Sequence, residues 1–95
     1  MSLESTIKKL ALITGKPHGG QALREALQTL ETKTRNEPGC QAFTFFQALS
    51  NPDAFALVET FSNQAALDLH MREPHTQAFF ALQLVADVQV VGIVG

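Results

Sequence analysis

Residues 7–14, 40–49 and 54–61 are apolar on both of the faces that an extended strand presents, and this double apolarity restricts the possible folds more than any other feature of the chain. Successive side chains of a strand point to opposite sides. Residues 7–14 therefore set Leu10 and Leu12 against Ala11 and Ile13. From Cys40 to Leu49, Phe43, Phe45 and Leu49 fall on one face and Ala42, Phe46 and Ala48 on the other. From Ala54 to Phe61, Phe55, Leu57 and Phe61 oppose Ala56 and Val58. An antiparallel sheet covered on one side carries polar residues on its open side. These strands do not, so the sheet they build needs cover on both faces.

The remaining segments supply one layer of cover. Ala22, Leu23, Ala26, Leu27 and Leu30 recur at helical spacing and predict a helix over 21–35, with Glu31 and Arg35 as a supporting pair one turn apart. Pro38 cannot continue that helix, and Gly39 eases the turn into the aromatic strand. Asn51-Pro52-Asp53 has the chemistry of a hairpin turn. Ser62 is the expected cap of a helix running to about His70. After a break at Arg72-Glu73-Pro74, Pro74 suits the first turn of another helix carrying Ala78, Phe79 and Leu82, and Val85 to Val94 reads as a last strand. The order β-α-β-β-α-α-β predicts an α+β, ferredoxin-like fold: a four-stranded antiparallel sheet with its helices on one face. Helices this few and short cover one face only. The other is expected to be buried against a second copy in a homodimer, with Phe46 at the contact.

A chain of 95 residues has room for one domain, expected over 7–95 after a disordered or vector-derived lead-in at 1–6. A formal charge of -2, with Lys8-Lys9 the only basic pair, argues against a nucleic-acid partner. No apolar run approaches the roughly 20 residues that span a bilayer, so no membrane partner is expected. The amino terminus lacks the basic start and apolar centre of a secretory signal, and the simplest expectation is a cytoplasmic protein. The single cysteine, Cys40, excludes an intrachain disulfide and a multi-thiolate zinc site and reads as a small buried hydrophobe.

Taken in order, Glu37-Pro38-Gly39-Cys40 before an aromatic strand, Asn51-Pro52-Asp53, Leu57-Val58-Glu59, Ala65-Ala66-Leu67 leading to His70, and Pro74-His75-Thr76-Gln77-Ala78-Phe79 resemble the antibiotic biosynthesis monooxygenase family. The resemblance runs from about Ile7 to Val94. It implies a dimeric α+β barrel similar to cofactor-free quinol monooxygenases, with an aromatic substrate held between sheet and helices. It implies oxidation of a small phenolic or quinol-like compound by O₂ without metal, flavin or nicotinamide. Two departures bear on the chemistry. Where family members often carry Trp and Tyr this chain has Phe61 and Phe43, and it contains no Trp or Tyr at all, so no phenol or indole relay is available there. The haem-degrading branch resembles a site of Asn, Trp and a later His, for which this chain offers Phe61 and Phe80, and haem degradation is not expected. The same fold also serves isomerases, and a dimeric module that only binds a small hydrophobic ligand is a further alternative.

Among the side chains able to do such chemistry His70 stands first, as a general base at the rim of an apolar pocket or, more simply, as a histidine meeting the end of its helix. Glu59 shares a strand face with Leu57 and Phe61, where its carboxylate either orients His70 or pairs with a basic residue at the dimer contact. Arg72 either steadies an anionic intermediate at the pocket mouth or is an exposed solubilising residue. Phe43, Phe45, Phe55, Phe61, Phe79 and Phe80 form either a filled core or a cavity wall. The favoured expectation takes His70 and Glu59 as the catalytic pair and Phe43, Phe45, Phe61, Phe79 and Arg72 as the substrate-binding set. Pro74 interrupts the chain between His70 and His75, so the two cannot form a regular helical metal pair, and no metal site is expected. His18 lies in a Gly-rich loop without the spacing of a phosphate-binding motif.

Overall fold

The computed structural model of the protein describes residues 5–92. Its elements follow the expected order: β1 (Ile7–Gly15), α1 (Gly20–Thr34), β2 (Cys40–Gln47), β3 (Ala54–Phe61), α2 (Gln64–Arg72), α3 (Pro74–Ala81) and β4 (Val85–Gly92). Residues 1–4 of the expected lead-in, and residues 93 and 94 of the expected last strand, lie outside the described residues. The four strands form one antiparallel sheet in the order β2-β3-β1-β4, the ferredoxin-like arrangement. Leu23, Leu27, Leu30 and Thr34 of α1 are buried at helical spacing, and with Ala11, Ile13, Phe43, Phe55, Leu57, Phe61 and Leu67 they make the core between the helices and one face of the sheet.

Two departures from expectation arise because a backbone group is used elsewhere. β2 stops at Gln47 rather than Leu49, since the Ala48 N–H already closes the hairpin onto the Ala54 carbonyl at 2.9 Å; Leu49 is left fully exposed. Ser62 does not cap α2. Its N–H still donates to the Gly39 carbonyl at 2.8 Å as a continuation of the sheet, and Asn63 caps instead, its Oδ1 accepting the Ala66 N–H at 2.8 Å.

The Glu31–Arg35 pair does more than support its own helix. β2 is an edge strand, and the groups it turns outward are met by α1 side chains: Glu31 Oε2 accepts the Phe45 N–H at 2.8 Å, while Arg35 Nε donates to the Phe43 carbonyl at 2.9 Å. Arg35 also reaches Thr44 Oγ1 at 3.1 Å. This occupies part of an edge that would otherwise invite another strand. It also fixes α1 over Phe43 and Phe45, two walls of the site described next.

Candidate functional site

The site begins at the turn after α1. The Glu37 N–H donates to the Thr34 carbonyl at 2.9 Å and the Cys40 N–H to the Glu37 carbonyl at 3.0 Å, a tight reversal into β2. Gly39 lets that turn press against α2: a Cβ there would stand 2.3 Å from the Ala66 Cβ. This close approach brings the Glu37 side chain under the end of α2. Glu37 Oε2 lies 2.8 Å from His70 Nδ1 and 2.6 Å from His75 Nε2, and Thr76 Oγ1 sits 3.4 Å from His70 Nδ1. The break before Pro74 makes the geometry possible. Glu73 is extended, with ψ 145°, so the chain turns between His70 on α2 and His75 on α3 and both rings converge on one carboxylate.

A carboxylate only accepts, so Glu37 binds the Nδ1–H of His70, and in the neutral ring this makes Nε2 the acceptor. That nitrogen has no hydrogen-bond partner among the described residues. The ring rests on Phe61 and Phe43, with centroid separations of 5.0 and 5.3 Å, and forms part of the wall of a cavity of about 270 Å³ between sheet and helices. A cavity of roughly 150 Å³ is enough for a benzene ring. The lining is apolar apart from His70, Glu59 and Thr76. Glu59 stands across the strands from Lys9 and Phe43; burial pushes its carboxyl pKa up, against the opposing pull of His70 and Lys9.

Of the residues singled out in the sequence, His70, Glu59, Phe43, Phe45 and Phe79 meet at this cavity. Phe61 does not line it: the ring is fully buried beneath His70 and acts as its support. Arg72 is exposed in the last turn of α2 and is not among the lining residues. Glu59 lines the cavity, but the carboxylate bonded to His70 is that of Glu37. Glu37, His75 and Thr76 were missed as site residues, although Glu37 and His75 stand inside quoted motifs; only the tertiary approach of the turn to α2 reveals their role. Cys40 is partly buried at the strand start, its thiol held up in pKa first by burial and then by the Glu37 carboxylate, as suits an unreactive thiol. His18 takes a left-handed backbone, φ 65°, and its N–H donates to Asp53 Oδ2 at 3.3 Å, a loop-fixing role.

A ferredoxin-like sheet with a histidine-bearing apolar cavity under its helices defines a small α+β domain. The sequence pattern of the Antibiotic biosynthesis monooxygenase family matches residues 6–82, and the chain belongs to that family. It is 31% identical over 64 residues to the protein sll1783 of Synechocystis, a match covering 67% of this chain and 44% of that protein; the chain thus spans under half of that relative's length. The structure of Rv0793 from Mycobacterium tuberculosis is 26% identical with a TM-score of 0.83, covering 96% of this chain and 95% of that one. The crystal structure of PA3566 from Pseudomonas aeruginosa shares the fold, with a TM-score of 0.89 at 24% identity over 98% of this chain and 96% of the other. Among the described residues no helix is long and apolar enough to cross a membrane.

Proposed function

We propose that the protein is a monooxygenase that oxidises a small phenolic or quinol-like aromatic with O₂, the substrate itself supplying the electrons. The observation that carries this reading is the His70 imidazole, bonded at Nδ1 to Glu37 and set in the wall of an otherwise apolar cavity. His70 Nε2 takes the phenolic proton. The resulting anion passes one electron to O₂, and the ring radical and superoxide recombine to form a C–O bond. The ring peroxide then loses water. One oxygen atom stays as a quinone carbonyl and the other leaves in water, carrying the two hydrogens that the phenol gave up at oxygen and at carbon. Phe43, Phe45 and Phe79 orient the ring and keep bulk water away.

A second reading rests on Glu59. A carboxyl that burial makes easier to protonate, in the same cavity as His70, is equipped to shift a proton beside a carbonyl, as an isomerase would. Oxygen consumption across a panel of quinols separates the two. The oxygenase reading expects uptake in the parent, a fall of about a hundredfold or more in His70→Ala, and a smaller fall in Phe61→Ala, which removes the support of the ring. No uptake with any quinol, together with tight aromatic binding that survives His70→Ala, would overturn it in favour of a binding module.

The functional unit is a homodimer. On the sheet face away from the helices, Phe46, Ala56 and Leu12 are neighbours across β2, β3 and β1, and Val58, Leu10 and Val91 form the next row. Phe46, Leu12, Val58 and Val91 are all exposed, and a second copy of the same face is the occupant whose chemistry matches it.

A further inference from the structure

The geometry points to a divalent metal site of the zinc type at Glu37, His70 and His75. This inference goes beyond the oxygenase reading, and its test needs no turnover. One carboxylate oxygen and two imidazole nitrogens converge from three separate segments, the α1–β2 turn, α2 and α3, with all three ligand atoms within 4.8 Å of one another. Two histidines and one carboxylate form a recurrent set for zinc and its first-row neighbours, in sites that keep a position open for water. Ligands about 2.0–2.2 Å from such an ion stand roughly 3–3.5 Å from one another. Glu37 Oε2 now sits 2.8 and 2.6 Å from the two imidazole nitrogens, which lie within 4.8 Å of each other, so the ion requires the carboxylate to part from each ring by less than about 1 Å while the two nitrogens settle at the ligand separation.

Burial and access favour the same site. The side chains of His70, Glu37 and His75 are 6%, 10% and 14% exposed, so an ion there exchanges few ligand–water contacts for protein ones. His75 also lines a surface depression of about 200 Å³ between α1 and α3, with Thr29 and Lys33 at its rim, which supplies a path from solvent. An ion and a proton compete for the same Nδ1 of His70. Metal occupancy moves the proton of the neutral ring to Nε2 and turns a proton acceptor facing the cavity into a donor.

The test is titration of the untagged chain with Co²⁺, read by its visible absorption, followed by displacement with Zn²⁺ and a thermal melt with and without Zn²⁺. The expected result is one equivalent of Co²⁺ per chain, displaced by Zn²⁺, and a raised melting temperature. His75→Gln and Glu37→Gln are each expected to weaken binding at least tenfold, whereas His18→Gln, which alters a histidine outside the cluster, leaves it unchanged. His75 is the most exposed of the three ligands, so its variant serves if Glu37→Gln fails to fold. Absence of a Co²⁺ signal from the parent, or equal affinity in the parent and in folded His75→Gln, overturns the proposal. Either result leaves the oxygen-uptake assay untouched, so failure of the metal site and failure of the oxygenase reading are distinguishable.

Discussion

The two faces of the sheet are built from alternate residues of the same strands, yet they have different fates. On β2, Phe43 is 2% exposed beneath α1 and α2, while Phe46, three residues on, is 54% exposed on the opposite side. Local sequence treats the two alike. The difference comes from topology: right-handed crossovers place the helices on one face of a ferredoxin-like sheet and leave the other bare. The covered face therefore holds the core, the cavity and the histidine cluster. The bare face offers a flat apolar surface without a cavity-lining polar group.

The most severe way to break this comparison is truncation. Phe43→Ala is expected to cost about 3–5 kcal/mol of unfolding free energy, the usual range for a phenylalanine lost from a core, and to remove the support against which His70 packs. Phe46→Ala is expected to cost the isolated chain under about 1 kcal/mol, because a half-exposed ring loses little transfer energy. Urea unfolding at low protein concentration measures both. Equal losses would show that the two faces are energetically equivalent in one chain.

Next in size is the effect of charge on the bare face. Phe46→Glu is expected to weaken self-association by about 2 kcal/mol or more, as for a central anchor of an interface, and to halve the mass found by light scattering. The same variant should leave the near-ultraviolet signature of the core unchanged. A parent that is already a stable monomer at micromolar concentration would mean that the apolar rows through Leu12 and Val58 have no second copy to meet.

Much of this contrast is legible in the sequence, because period-two alternation reports which residues share a face whatever covers it. The element order, the hairpin at Asn51-Pro52-Asp53 and the stop at Pro74 were legible for the same reason: each is a local signal. The site was only half legible. His70, Glu59, Phe43, Phe45 and Phe79 follow from strand faces and helix ends, and they do meet. The Glu37–His70–His75 cluster joins positions thirty-three and thirty-eight residues from Glu37, and the rule that sets aside a non-helical histidine pair says nothing of a carboxylate arriving from a turn. Phe61 was misjudged as pocket wall because alternation gives its face and not its depth.

A smaller perturbation sharpens the comparison at the site itself. Gly39→Ala places a methyl 2.3 Å from the Ala66 Cβ, in a contact between backbone-borne groups that no rotamer change relieves. The turn must retreat from α2, at an expected cost of about 1–3 kcal/mol. The retreat also pulls Glu37 away from both imidazoles. Nitrogen-15 spectra should show the His70 ring losing its Nδ1-protonated form, while the bare face, read by self-association, is unaffected. An unchanged His70 tautomer would show that the Glu37 contact does not depend on this close approach.

The smallest expected effect concerns Glu59, the one acidic side chain lining the cavity among the described residues. Burial raises its carboxyl pKa in the folded chain, with Lys9 of β1 and His70 of α2 pulling the other way without cancelling it. A raised folded pKa means that the ionised form is the one the fold disfavours. Stability from this group is greatest at low pH, where both states hold the proton, and is lost as pH climbs from the unfolded carboxyl range through the raised folded value. Glu59→Gln abolishes that slope. The variant should match the parent in acid and exceed it in melting temperature near neutrality, by a margin that grows with pH and then levels. A margin that shrinks with rising pH would show that Lys9 and His70 outweigh burial, making Glu59 a paired surface carboxylate instead of a proton carrier held in a dry cavity.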